Sequence, residues 1–241
     1  MIEILKQLSD AGGISGFEFV LAPKVEELLR PYCDEVTRDQ CGNVIGWVHC
    51  GETDAPTVMI ESHMDGIGLM VKNITDRGFL TFVPIGGIDP RILPASEVVV
   101  CGKKELFGVI GAKPPHLQSQ EDAKKAPKIS DMAIDVGMSA EEVKRIAVQY
   151  GRAAARAKQA GFDSVPCGKG FSGKYLDDRA GIVSLLICLE RLKGHKLPFH
   201  LAVLCAVQEE VGLRGAKMGA HSIFPSAALV VDVCHGTTPD S

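Results

Sequence analysis

The sequence predicts an α/β protein, a mixed sheet with helices on both faces, into which a small all-β unit is inserted. Three observations carry this expectation. Near the C-terminal end, a helix-period run over residues 178–193 precedes two apolar strand-like runs, 201–207 and 227–233, as in a wound sheet. The first sixty residues likewise combine helical periodicity with short apolar strands. Between about residues 70 and 112, by contrast, β-type runs follow one another between Gly and Pro turns.

Taken in order, residues 1–30 read as helix. Ser15 and Glu18 have capping-box spacing and predict a helix start. Pro23 interrupts or kinks that helix, and Val25, Leu28 and Leu29 give an apolar stripe. Residues 43–48 and 57–60 are short apolar runs bounded by turn residues, hence strands. The runs LMVKNI, GFLTFVPI, SEVVVCG and LFGVIGA are punctuated by Gly86-Gly87, Pro90, Pro94, Gly102 and Pro114-Pro115. Residues 113–128 are polar and proline-bearing and read as a surface loop. Residues 139–145 open on a capping signal and read as a short helix. Residues 151–158 are basic and alanine-rich and fit neither pattern. In 178–193, Ile182, Leu185, Leu186 and Leu189 repeat at i, i+3, i+4, i+7. The runs 201–207 and 227–233 have the branched, continuous apolar character of fully buried parallel strands. The predicted division is 1–68 with 168–241 as one α/β domain, and 69–167 as an inserted small β-barrel.

Composition bounds the function. The chain has 241 residues, is 46% apolar and 23% charged, and carries a net charge of −4, an ordinary globular profile. That charge gives no case for nucleic acid or an anionic membrane as partner. No apolar run of about 18 residues predicts a transmembrane span, and the N-terminus lacks the pattern of a signal peptide. Eight cysteines without a C-x-x-C pair, several inside apolar runs, predict free thiols in a reducing cytoplasm.

The residues that carry chemistry gather at element ends. The 57–60 run leads into Glu61-Ser62-His63-Met64-Asp65-Gly66, where alternation puts His63 and Asp65 on one face. The 201–207 run leads into Gln208-Glu209-Glu210, and 227–231 leads into Asp232. Asp177-Asp178 opens the helix. In an open α/β sheet the carboxyl ends of strands line the functional crevice. Crowded carboxylates there must be protonated or neutralised, because unpaired buried charge costs several kcal/mol. Two divalent ions would neutralise them, and one imidazole with carboxylates suits zinc, cobalt or manganese. Of the adjacent Glu209 and Glu210, one can bind metal while the other faces substrate as a general base.

The segments HMDGIG, PIGGIDPRILPAS, KKAPKISDMAIDVG, LDDRAGI, QEEVGLRGA and VDV, in this order, resemble the M42 peptidase family of glutamyl-aminopeptidase-like and tetrahedral aminopeptidases. The resemblance runs over nearly the whole chain. It implies a phosphorylase/hydrolase-like catalytic α/β domain with an inserted β-barrel used in assembly. It also implies two metals per subunit, peptide substrates and a homo-oligomer, commonly a hollow dodecamer. By the same resemblance His63 binds a metal, Asp65 orients that histidine, and Asp177 bridges the metals. Glu210 and Asp232 match further ligands. Glu209 matches the base that takes a proton from the attacking water and passes it to the leaving amine. The sequence departs from the family pattern in two places. No position matches the family's further metal-binding histidine near its C-terminus. His235 lies three residues past Asp232 and leaves its face, and His116 matches a position that is not a ligand. Residues 147–171 do not read like the strand-rich segment that usually precedes LDDR. Two competing readings follow: a truncated, inactive family member acting as an assembly or binding subunit, and a glycoside hydrolase using paired carboxylates. Against the second, aromatic content is 5%, low for sugar stacking.

Overall fold

The structure is a computed structural model that describes residues 1–102, 104–114, 125–148, 154–157, 165–167, 170–172 and 174–234. The chain divides into two compact units, Met1–Gly66 with Ser164–Ser241, and Ile67–Asp163. In chain order the first unit opens with α1 (Ile2–Asp10), α2 (Ala22–Leu29), β1 (Glu35–Arg38), β2 (Val44–Val48) and β3 (Thr57–His63). The second unit contains β4 (Gly68–Ile74), β5 (Leu80–Ile85), β6 (Glu97–Cys101), β7 (Leu106–Gly111), β8 (Ala133–Asp135), α3 (Ala140–Val148) and β9 (Ala154–Ala157). The chain then returns to the first unit through β10 (Val165–Cys167), β11 (Gly170–Ser172), α4 (Leu176–Leu192), β12 (His200–Ala206), α5 (Arg214–Ile223) and β13 (Ala227–Val230).

The first unit is a mixed α/β layer structure. Its sheet has the order β1-β2-β12-β3-β13. β12 and β13 both run parallel to β3, whereas β2 is antiparallel to β1 and β12. Alternation along the strands feeds two cores. Val44, Ile60, Val203 and Cys205 pack with Leu8, Val25, Leu29, Leu185 and Leu189 of α1, α2 and α4. Ile45, Met59, Ala202 and Leu204 face the other way, against Ala216 and Ala220 of α5. Helices therefore cover both faces.

The second unit is built from the four β-type runs read from the sequence, which become β4 to β7, together with β8 and β9. These strands close on one another in the order β4-β5-β8-β7-β6-β9. Leu69, Phe82, Val98, Val100, Ile110 and Ile134 fill the interior. α3 starts on a capping box: Ser139 Oγ accepts from Glu142 N at 3.3 Å, and Ser139 N donates to Glu142 Oε2 at 3.0 Å. Most of the loop expected over 113–128 and most of the 147–171 stretch lie outside the described residues. No helix among the described residues is long and apolar enough to cross a membrane.

Three expectations change. Residues 1–30 are not one helix: α1 ends at Asp10, and Ser15 and Glu18 form no capping box with each other, because Ser15 Oγ and Glu18 Oε1 bond to distant residues (below). Pro23 does not kink α2 but sits in its first turn, where a missing N–H costs nothing. The 227–233 run, expected as a buried strand, is exposed over Ala227–Val230 and pairs only with β3 among the described residues.

Candidate metal centre

The site follows from three parallel strands that end together. Their register pairs Ala206 with His63 and Val230 with Glu61, so the segments leaving β3, β12 and β13 emerge side by side. Val231 N donates to Glu61 O at 2.8 Å and extends that pairing to the residue before Asp232. The chain leaves β12 through Gln208 with φ +56°, a left-handed conformation uncommon for a residue with a side chain. α4 brings in Asp177 and Asp178.

His63 is the buried centre of the cluster. Its Nδ1 lies 3.1 Å from Asp65 O and 3.6 Å from Asp65 Oδ1. Its Nε2 faces three carboxylates from three elements: Asp177 Oδ1 at 2.9 Å, Glu209 Oε2 at 3.8 Å and Asp232 Oδ1 at 3.9 Å. Asp65 is fully buried and joins the two halves of the site. Its Oδ1 accepts from Glu209 N at 2.9 Å, and its Oδ2 accepts from Glu210 N at 3.2 Å and from Ser15 Oγ at 2.6 Å.

The two neighbouring aspartates do different things. One atom each of His63, Asp178 and Asp232 lies within 4.8 Å of the others, so distance alone points to Asp178 as a donor. But both Asp178 oxygens are engaged. Oδ2 accepts from Ser62 Oγ at 2.5 Å, and Oδ1 accepts from Gly181 N at 3.0 Å, which is the N-cap of the regular part of α4. Gly181 has to be glycine, since a Cβ there would run into the Asp178 carboxylate and the Ser62 hydroxyl. The Asp177 side chain is 59% exposed, and its Oδ1 points at His63 Nε2.

The electrostatics are those of crowded carboxylates around one imidazole. Burial, and then repulsion from Asp177, Glu209 and Asp65 against the pull of His63, pushes Glu210 up to about 7. Burial carries Asp178 up to about 6, against its bond from Ser62. It also raises Glu61 to about 7, and burial raises Glu209. Burial alone would depress His63; contact with Asp65 and the charges of Asp65, Asp178 and Glu209 outweigh it and raise the imidazole to about 9. Burial would raise Asp65 too, but bonds from His63, Ser15 and the Glu209 N–H hold it below the usual carboxylate range. One imidazole nitrogen ringed by carboxylates that resist joint ionisation fits a hard or borderline divalent cation.

All six residues singled out in the sequence fall in this region. His63, Asp177, Glu209 and Asp232 meet around one nitrogen. Asp65 lies behind His63, and Glu210 is held through its backbone. His116 and His235 lie outside the described residues. Sequence reasoning passed over Glu61, which is 4% exposed and two residues before His63 on β3. The alternation used to pair His63 with Asp65 also puts Glu61 on the His63 side. It also passed over the bonds of Ser62, Ser15 and Glu18.

Comparison with known proteins places the fold in a family. The M42 glutamyl aminopeptidase family matches residues 42–241. A lysyl aminopeptidase of Pyrococcus furiosus is 34% identical over 243 residues, covering 99% of this chain and 68% of its own length. Among solved structures, a TET aminopeptidase from a marine sediment Thaumarchaeota archaeon superposes with a TM-score of 0.89 at 35% identity, over 99% of this chain and 67% of that one. The Pyrococcus horikoshii TET1 peptidase gives a TM-score of 0.83 at 36% identity, over 100% of this chain and 72% of that one. The fold is thus that of an aminopeptidase-type hydrolase. The chain belongs to the M42 glutamyl aminopeptidase family and spans about two thirds of the length of these relatives.

Proposed function

We propose that the chain acts as a metal-dependent aminopeptidase, removing N-terminal residues from peptides at a binuclear centre. The observation that carries this is the buried His63 Nε2 facing Asp177, Glu209 and Asp232, in a chain of the M42 family. His63, Asp177, Glu210 and Asp232 are the protein ligands of two ions, zinc, cobalt or manganese. Asp177 is preferred to Asp178 because its carboxylate is free of local bonds and solvent-facing. Divalent ions held there supply Lewis-acid polarisation of the scissile carbonyl and lower the pKa of water. The chain's own residues do the rest. Asp65 fixes the His63 ring through the Nδ1 side and holds the backbone of Glu209 and Glu210. Glu209, only partly buried at the mouth of the cluster, takes the proton of the attacking water and delivers it to the leaving amine.

In this reading 1–68 with 168–241 is the catalytic domain, and 69–167 is an inserted β-barrel that serves assembly. The strand order closing β4 to β9 supports the barrel. A homo-oligomer, a dodecamer by family analogy, is supported by the TET1 peptidase, which can form a tetrahedron or a large octahedral shell. A cytoplasmic location follows from the eight cysteines without a C-x-x-C pair, several within apolar runs, as a reducing compartment would keep them as thiols. The test is hydrolysis of aminoacyl chromogenic substrates with added cobalt, zinc or manganese. Release that stops with chelator and in Glu209→Gln is expected. Chelator-resistant release, or full activity in Glu209→Gln, would overturn the reading.

A further inference from the structure

Residues 12–18 precede the part of the chain matched to the family and contain none of the candidate ligands. Yet this one segment is bonded to three ligand-bearing elements. Arg179, completely buried just beyond Asp177 and Asp178, donates from Nη2 to Gly12 O at 2.7 Å and Gly13 O at 3.2 Å. Gly66 N donates to Gly13 O at 3.2 Å, Ser15 N donates to Gly66 O at 3.1 Å, and Ser15 Oγ donates to Asp65 Oδ2 at 2.6 Å, which ties in the end of β3. Glu18 Oε1 accepts from Gln208 N at 2.9 Å, which ties in the turn after β12. Ser15 and Glu18 are each 5% exposed, so neither bond competes freely with water.

The turn that carries Glu209 and Glu210 is held in an unusual way. Four consecutive backbone N–H groups find side-chain acceptors from three different segments. Val207 N donates to Asn43 Oδ1 at 2.9 Å, Gln208 N to Glu18 Oε1 at 2.9 Å, Glu209 N to Asp65 Oδ1 at 2.9 Å and Glu210 N to Asp65 Oδ2 at 3.2 Å. Gln208 is also the left-handed residue of the turn, a conformation that persists only where the surroundings over-determine it. Glu18 supplies that constraint. Ser15 supplies the matching one for Asp65: its hydroxyl pins Oδ2, so the carboxylate cannot swing away from His63, Glu209 and Glu210.

We propose that Ser15 and Glu18 are positioning residues of the metal centre, Ser15 by locking Asp65 behind His63 and Glu18 by locking the Gln208–Glu210 turn. This rests on the reading of the cluster as a metal site, and the test separates the two. Ser15→Ala, Glu18→Ala and Glu18→Gln are made in the full chain. Zinc binding is followed by calorimetry, amide hydrogen exchange is followed over 207–210, and aminoacyl turnover is measured. Loss of such supporting contacts weakens metal binding by about 10- to 100-fold, and that is the expectation for Ser15→Ala. Glu18→Ala should speed exchange at 208–210 while β12 stays protected, and should lower kcat with little change in KM. Glu18→Gln keeps the carbonyl acceptor and should restore both. If Ser15→Ala does not fold, Ser15→Cys, similar in size with a weaker donor, should give an intermediate loss of zinc affinity. Wild-type protein that binds no zinc would sink the metal reading, while the exchange pattern would still judge the role of Glu18 in the turn. Wild-type zinc affinity in Ser15→Ala with protected 208–210 amides in Glu18→Ala would overturn the proposal, as would a Glu18→Gln variant that behaves like Glu18→Ala.

Discussion

Asp177 and Asp178 are adjacent, yet the structure gives them opposite duties, and replacing each by alanine separates them. Asp178→Ala removes the acceptor of the Gly181 N–H, a helix cap worth about 1 kcal/mol. It also leaves the buried Ser62 hydroxyl with only a long contact, 3.3 Å, to the Asp178 carbonyl. An unsatisfied buried group of that kind costs roughly 1–3 kcal/mol. Relief of a carboxylate that burial already disfavours offsets part of the loss. The remainder is about 2–3 kcal/mol, which for a chain of this size lowers the Tm by about 5–10 °C. Asp177 is largely exposed and, among the described residues, its side chain bonds only to His63. Asp177→Ala takes the 2.9 Å acceptor from the buried His63 Nε2, but water can reach the exposed Asp177 position, so the Tm of chelator-treated protein should fall by only about 2–4 °C, for a loss of about 1 kcal/mol. Zinc affinity should rank the other way, with Asp177→Ala weakening it more than about tenfold and Asp178→Ala much less. Thermal unfolding by circular dichroism with chelator, and calorimetric zinc titration, read both. An Asp178→Ala protein that melts like wild type but binds no zinc would refute the assignment and make Asp178 the ligand.

Three further outcomes follow from the same geometry. In metal-free protein, stability should fall as pH rises from 5 to 9. Glu61, Glu210 and Asp178 are raised from 4.5, 4.5 and 3.8 to about 7, 7 and 6, so their contribution is complete at low pH and lost on passing those values. That of His63, raised from 6.5 to about 9, is complete below 6.5 and lost through about 9. The stabilisation gained on adding zinc should grow over the same range as protons leave the ligands; calorimetric melts that rise with pH in chelator would contradict this. Gly181→Ala forces a methyl into the Asp178 carboxylate and the Ser62 hydroxyl, and overpacking of this kind costs about 1–3 kcal/mol, read as a lower urea midpoint. Asn43→Ala leaves the Val207 N–H without its acceptor and removes the bond to Gly215 O, a loss of about 2–3 kcal/mol on the same assay, with weaker zinc binding because the Glu209 turn loosens.

What the sequence revealed and what it concealed divide along physical lines. The runs ending at Ile60, Val207 and Val231 were readable as strands because apolar, largely branched residues are continuous there. Each run stops on ligand-type residues. β1 was not readable: Glu35, Thr37 and Arg38 are exposed and polar, so neither alternation nor a continuous apolar run marks it. The Ser15–Glu18 spacing fitted a local capping box, but those side chains bond across 50 and 190 residues, and no window of sequence reports such partners. The same holds for Asp177 and Asp178, where only the positions of Ser62 and Gly181 show which carboxylate is already used.

The central claim is that the ends of β3, β12 and β13 and the start of α4 form one divalent-metal centre around His63 Nε2. Anomalous diffraction from zinc- or cobalt-loaded crystals tests it most directly. Anomalous density is expected within bonding distance of His63 Nε2 and an Asp177 oxygen, with Asp178 still bonded to Ser62 and Gly181. Density placed away from His63, or bonded to Asp178 with Asp177 turned out to solvent, would contradict it.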